Sequence, residues 1–452
     1  MSRYQKYPAY KDSGVEWIGE IPEHWEITKI RYYYDVQLGK MLQPESKTET
    51  DVEVKYLKAQ HVQWNVVNHD DLPTMWASEK EIEKFAVQQG DLLICEGGEV
   101  GRSALLDGVS DVCIIQNALH RVRAKEKSSV KYLQYFMQHV SNARWFDILC
   151  NKATIAHLTG EKLAALELPV PPVHEQQAIA SFLDSRTEKI DELIAKKESL
   201  LNKLHEKSIA LIIQAVTKGL DLSVPMKESG VNWIGKIPEH WTIWKVTHGF
   251  NTVGSGTTPK SDNLEYYDGD IPWVTTSELR ESIIENTSQK ISVDALQSHS
   301  ALKIFPKESI VIAMYGATIG RLGILGIKAT VNQACCVFAN PVTFDPRFFY
   351  YWLLMRKPIL ISLSTGGGQP NLSLDDLKQI KIPIPSLQEQ EAIAIFLDQA
   401  TATIDLQREK ITEAIERLKE YRSALITDAV TGKMDVHSYE TKESFLPEQT
   451  RI

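Results

Sequence analysis

Apolar positions recur every seven residues over two long stretches of the chain. In the later stretch, Leu397, Ile404, Ile411, Leu418 and Leu425 form one column, and Ile393, Ala400, Gln407, Ala414 and Tyr421 form the other. In the earlier one, Leu183, Ile190, Lys197, Leu204 and Leu211 stand against Ile179, Arg186, Leu193, Leu200 and Lys207. A period of 3.5 kept for about five heptads predicts long helices that pack along a narrow seam, and about 40 residues of helix would extend about 60 Å. Charged residues fill the other faces, as in EKIDELIAKKESLLNKLHEK at 188–207, so neither helix is stable without a partner along its seam. Each begins behind a proline-rich segment, LPVPP at 168–172 and IPIPS at 382–386, where the residue before proline is held extended. The expected packing is an antiparallel pair of the two helices, with Arg186, Lys197 and Lys207 as polar interruptions that fix register. The alternative is two amphipathic helices, each docked on its own domain.

The helices belong to a larger repeat. SGVEWIGEIPEHW at 13–25 returns as SGVNWIGKIPEHW at 229–241, and AVTKGLDL at 215–222 returns as AVTGKMDV at 429–436. LPVPPVHEQQAIASFLDSRTEKID at 168–191 returns as IPIPSLQEQEAIAIFLDQATATID at 382–405. The period far exceeds the roughly 20 to 50 residues of solenoid arrays. A whole domain plus a connector is therefore used twice, in a pseudo-twofold arrangement. Between the echoes lie short apolar strands that end at glycine, GDLLICEGG at 90–98 and ESIVIAMYG at 308–316. Aromatic-rich helices follow them, VKYLQYFMQH at 130–139 and PRFFYYWLLMR at 346–356, and read as core.

The fold class expected is α+β, with two mixed, strand-rich domains separated by a pair of long antiparallel coiled-coil helices. Five segments result: a first domain with its N-terminal segment (1–172), a first helix (173–220), a second domain (221–386), a second helix (387–436) and a polar tail (437–452). The tail starts where another SGVxWIG copy would begin. The N-terminal copy is therefore expected to dock beside the end of the second helix.

Composition narrows the class. The 452 residues are 43% hydrophobic and 24% charged, ordinary for soluble globular protein, and length alone predicts about three compact units. No run of about 18 apolar residues suggests a membrane span, and the N-terminus lacks an apolar signal core, so the expected location is the cytoplasm. Five cysteines without a CxxC spacing argue against a disulfide framework or a thiolate zinc site. Cys335 and Cys336, in VNQACCVFAN, read as buried thiols. The net charge of −9 is awkward for phosphate binding, but the local face decides, and RVRAKEK at 121–127 shows that positive charge can cluster.

Catalytic motifs fail one by one. GVNWIGK at 230–236 begins like a phosphate loop, yet Ile237 stands where a Ser or Thr should reach magnesium, and Glu20 replaces the lysine in the twin. It reads better as a turn with a Trp anchor. There is no GxSxG, no HExxH, no GxGxxG after a strand, and no Asn/Asp-Pro-Pro-aromatic run of the kind that holds a target amine. His24 and His240, inside the repeated IPEHW, read as structural.

What remains is a set of loops at equivalent places in the two copies. The second copy has TVGSGTTPKSDN at 252–263, YGATIGR at 315–321 and STGGGQPNLS at 364–373; the first has VQLGKMLQPESK at 36–47, EGGEVGR at 96–102 and NKATIAHLT at 151–159. Glycine lets a backbone approach a phosphate or base edge. Thr257, Lys260, Tyr315, Arg321, Gln369 and Asn371 then supply the contacts used for phosphate binding and groove readout, as do Lys40, Lys47, Arg102, Lys152 and His157 in the first copy. The plain alternative is ordinary surface turns between strands. Two domains that read different half-sites would share a framework and differ in these loops.

Taken together, GVEWIGEIPEHW, LPVPPVHEQQAIASFLD, GVNWIGKIPEHW, IPWVTTSEL at 271–279, TGGGQPNLS and IPIPSLQEQEAIAIFLD closely resemble the specificity subunit of type I restriction-modification enzymes, often called HsdS. The resemblance covers nearly the whole chain. It implies a non-catalytic subunit that binds double-stranded DNA, each domain reading a few base pairs of an asymmetric, bipartite target. The helical pair would act as a ruler for half-sites about one helical turn, about 34 Å, apart. It further implies two partner modification subunits that methylate adenine with S-adenosylmethionine, and restriction subunits that use ATP and Mg, with no cofactor in this chain. The first domain departs from the pattern, since its TIAHLT lacks GGGQPNLS. A self-contained methyltransferase or nuclease, and a coiled-coil adaptor that never touches DNA, are the competing classes.

Overall fold

A computed structural model describes residues 5–108, 112–150, 157–362 and 371–437. The chain forms two compact units, Met1–Glu198 with Thr412–Ile452, and Ser199–Ile411. The boundary differs from the five expected segments because it runs through the long helices. Val173–Lys218 and Leu387–Val430 each give one half to each unit, where that half buries its apolar face in the unit's core.

In the first unit a four-stranded antiparallel sheet joins Ser103–Leu105, Leu92–Cys95, Leu119–Ala124 and Tyr34–Leu38, in that spatial order. A second sheet of three strands places Val52–Leu57 between Cys113–Ile115 and Thr74–Ala77. The second unit repeats the plan with Phe250–Ser255, Cys335–Pro341, Ile310–Ala313 and Leu322–Leu325, and adds Ser282–Ile284 as a parallel edge strand. Its three-stranded sheet is reduced to Lys290–Ile291, Ile271–Val274 and Thr330–Val331.

The aromatic-rich helices are core, as their sequences suggest. Val130–Asn142 buries Tyr132, Leu133, Phe136 and Met137, and Pro346–Ser362 buries Phe348, Phe349, Trp352 and Leu353. All five cysteines are buried free thiols. Burial pushes the Cys113 thiol up to about 11 and Cys335 up to about 12, so neither is a thiolate at neutral pH.

The repeated segments turn out to be one locking device used twice. Glu175, buried at the start of the first long helix, accepts from Trp25 Nε1 (3.0 Å) and Tyr7 Oη (2.6 Å) and meets His24 Nε2 at 2.9 Å. Glu389 repeats this with Trp241 Nε1 and His240 Nε2, both at 3.0 Å. Both tryptophans are fully buried. The next residue caps the core helix: Gln176 accepts from Ser129 N and Gln390 from Asp345 N, each at 2.9 Å. The aspartate of FLD completes the lock, Asp184 accepting from Tyr135 Oη (2.6 Å) and Asp398 from Tyr351 Oη (2.8 Å). His24 and His240 are thus structural, and the matched motifs of the repeat join each long helix to its domain.

Within each unit the two half-helices run antiparallel. In the first, Ile179, Leu183 and Ile190 share a core with Leu418, Leu425 and Ile426, and Arg422 holds Asp191 at 2.9 Å. In the second, Ile212 and Val216 meet Ile393 and Leu397. The seam is narrower than the heptads suggest, since Leu200 is 45% exposed and Lys207 and Gln407 face solvent. Near its C-terminal end the first helix instead buries Ile212, Ala215 and Val216, the wider face of a helix docked on a domain. The N-terminal copy docks where expected, with Tyr10 Oη donating to Gly432 O (3.1 Å) and Asp435 N to Gln5 O (2.8 Å).

Candidate nucleic-acid interface

In the second unit four loops meet at one end of the main sheet. Strand Phe250–Ser255 leads out to Gly256 and Thr257, Ile310–Ala313 to Met314 and Tyr315, and Leu322–Leu325 starts after Arg321. Asn332–Ala334 precedes strand Cys335–Pro341. Short backbone bonds tie them together: Met314 N to Ala334 O (2.8 Å), Gly320 N to Ala313 O (2.8 Å) and Leu372 N to Met314 O (2.7 Å). Tyr315 and Asn371 form an isolated bridge. Two glycines make this possible. A Cβ on Gly256 would lie 1.7 Å from Val331 O, and Gly320 takes a φ of +75°.

Tyr315, Arg321, Asn371 and Thr257 are therefore brought to one edge. Arg321, Lys260 and Asn371 are exposed, while Thr257 and Tyr315 are half-buried. Among the described residues Arg321 and Lys260 have no acidic partner within 4.0 Å. Burial pushes the Tyr315 phenol up, which keeps it a neutral donor. Gln333, exposed beside this group and bonded to Thr258 Oγ1 at 2.5 Å, was missed. Its polar VNQ step comes just before the buried cysteines of VNQACCVFAN, and that step is the signal the sequence offers.

The first unit builds the same edge with the same bonds and different side chains. Leu158 N donates to Glu96 O (2.8 Å) as Leu372 does to Met314, and Gly101 N donates to Cys95 O (3.0 Å) as Gly320 does to Ala313. His157 thus occupies the place of Asn371, and Arg102 that of Arg321. A Cβ on Gly39 would fall 2.3 Å from Gln116 O, so Lys40 answers to Thr257.

Several basic groups expected there belong to the framework instead. Lys40 is buried, with Nζ on Glu81 (2.5 Å) and Gln43 (3.0 Å). Arg102 donates to Ala59 O (2.9 Å) and meets Glu99 at 3.3 Å. The RVRAKEK cluster is also used internally: Arg123 clamps Asp91 (2.6 and 2.9 Å) and Arg121 donates to Lys84 O and Ala86 O. Lys47 and His157 are exposed. Lys152 and Gln369 lie outside the described residues.

No group of three or more metal-ligating side chains occurs among the described residues, and no described helix is long and apolar enough to cross a membrane.

Comparison with known proteins places this architecture. Residues 22–203 and 238–417 match the family model described as type I restriction modification DNA specificity domain. A putative type I restriction enzyme MjaX specificity subunit of Methanocaldococcus jannaschii is 26% identical over 437 residues, covering 93% of this chain and 96% of that one. The EcoBI specificity subunit of Escherichia coli is 25% identical over 367 residues, covering 78% and 75%. Among solved structures, a chain from work on complex assembly and conformational transition of the type I R-M system superposes with a TM-score of 0.72 at 14% identity, covering 91% of this chain and 98% of that one. The HsdS subunit from Thermoanaerobacter tengcongensis gives a TM-score of 0.54 at 15% identity, with the same coverage. These two likenesses are of fold.

Proposed function

This chain belongs to the type I restriction-modification DNA specificity family, and on that premise we propose that it reads an asymmetric, bipartite DNA target, one half through each domain's loop edge. The observation that carries the reading is the pair of equivalent edges: the same backbone bonds support different side chains, which is what two unlike half-sites require. In the second domain Asn371 and Gln333 are suited to base edges, and Lys260 and Arg321 to phosphates, while Gly256 admits close approach of the backbone. Thr257 and Tyr315 stand beside them as further donors.

The chain contributes recognition and scaffolding. Methyl transfer to adenine, with S-adenosylmethionine, belongs to two modification subunits, and ATP- and Mg-dependent translocation and cleavage to restriction subunits, in the cytoplasm. The acidic net charge of −9 fits this division, because much of the non-specific DNA affinity then comes from the partners.

Co-expression with the modification subunit, followed by genome-wide mapping of methylated adenine, tests the reading. A two-part motif is expected; methylation without such a motif, or none, overturns it. Gln369→Ala should relax only one half of that motif, and residues inserted in the helix between 186 and 206 should lengthen the spacer while leaving both halves unchanged.

A further inference from the structure

At the end of the second unit's main sheet away from the loop edge, a two-stranded sheet pairs Thr242–Lys245 with Lys381–Ile384. Its register sets Lys245 directly opposite Lys381. Like charges in that relation repel, and among the described residues neither lysine has an acidic partner within 4.0 Å. Glu228, next to Ser229 in sequence, pairs with Lys236 instead, at 3.9 Å. The two lysines line an open cleft of about 600 Å³ together with His248, Trp244 and the turn at Ser229 and Gly230. Trp244 is 36% exposed, and its ring meets His248 edge-on at 6.3 Å.

The first unit supplies an internal control. Its equivalent sheet pairs Glu26–Lys29 with Glu167–Val170, and there Lys29 stands opposite Glu167. The repeat thus sets opposite charges across the strand register in one copy and like charges, walled by an aromatic and a histidine, in the other. A framework that needed only stability would keep the complementary pair in both.

We propose that the Lys245–Lys381 cleft is a docking site for an acidic segment of a protein partner, present on the second domain alone. Position favours protein over DNA. Strand Phe250–Ser255 has six residues, so about 20 Å of sheet separates the cleft from the loop edge, and a duplex held at that edge lies at the other end of the domain. The charge requires an anionic occupant, and the exposed indole gives its aliphatic carbons an apolar wall. The two faces of the repeat then hold their partners unequally, the second with greater sensitivity to salt. This inference rests on the proposed function, since it takes the modification subunit as the partner to be tested.

Lys381→Glu is the informative variant, because it restores the pairing of Lys29 with Glu167 and so keeps the fold. Affinity of the full chain for the modification subunit, measured by analytical ultracentrifugation at low and high salt, should fall about tenfold at low salt and converge with the parent at high salt. Complexes forced by excess subunit should methylate the unchanged target. Unaltered affinity at low salt overturns the proposal. So does a loss of DNA affinity on all sequences with subunit affinity intact, which would make the cleft a phosphate site. If the parent chain binds no modification subunit at all, the proposed function fails first, and the two failures are distinguishable.

Discussion

Arg102 and Arg321 follow equivalent left-handed glycines into equivalent strands, yet Arg102 is bound to Ala59 O and Glu99, while Arg321 is exposed. The same contrast separates Lys40, buried on Glu81 and Gln43, from the exposed Lys260 of the second domain. It extends to the framework, where Lys29 of the first domain faces Glu167 and Lys245 of the second faces Lys381. The first domain has thus met internally some of the charge that the second leaves exposed. A lysine or arginine in a loop shows that positive charge is available locally, whereas a carboxylate brought up by the fold determines whether any of it remains for a partner.

Removing the buried lock carboxylates is the largest expected perturbation. Glu175→Ala strands Tyr7 Oη and Trp25 Nε1 in the core and should cost on the order of 3 to 5 kcal/mol in denaturant unfolding. Glu389→Ala, at a half-buried site with one donor fewer, should cost about half as much. Equal losses would mean that the two locks do not differ as their burial suggests.

Acid should separate the domains next. His139 is buried against Trp17 and Phe136, and burial pushes its pKa down to about 4. Burial also lowers His120 and His61. In the second domain Met355 stands at the position of His139, by the register that matches Tyr135 with Tyr351. The folded pKa lies below the unfolded value of about 6.5, so the unfolded chain takes the proton first. The stability contributed by neutral His139 is complete above about pH 6.5 and is lost as pH falls toward 4, up to about 3 kcal/mol. Hydrogen exchange resolved by peptide should show the first domain opening at higher pH than the second, and His139→Met should narrow the gap. Simultaneous opening would remove the histidines as its cause.

Asn371→Ala should relax recognition in one half of the methylation motif by about 1 to 3 kcal/mol, whereas His157→Ala should affect only the other half. Changes in both halves from either variant would contradict one-domain, one-half reading.

The smallest effects test the two arginines. Arg102→Ala removes a partner from Ala59 O and should lower stability by about 1 kcal/mol, with little effect on the salt dependence of DNA binding. Arg321→Ala should leave thermal unfolding unchanged and reduce the salt slope of DNA binding by about 1. The opposite assignment would show that side-chain exposure is a poor guide to which loop meets the duplex.

Much of this molecule was legible in its sequence, for physical reasons that operate locally. The heptads, the proline-bounded helix starts and the near-identical SGVxWIG and EQ segments are short-range patterns, and each marks an element that the structure contains. Even the pairing of His157 with Asn371 follows from the spacing of the repeat, which the Leu158 and Leu372 backbone bonds reproduce. Tertiary structure decided what no spacing encodes. It brought Glu81 to Lys40 across 41 residues and Asp91 to Arg123 across 32, so that basic side chains became framework. It placed Gln333 beside Thr258 across 75 residues and set Lys245 against Lys381 on neighbouring strands. Charge acts over a few ångströms, and which charges come that close is decided only when distant parts of the chain pack together.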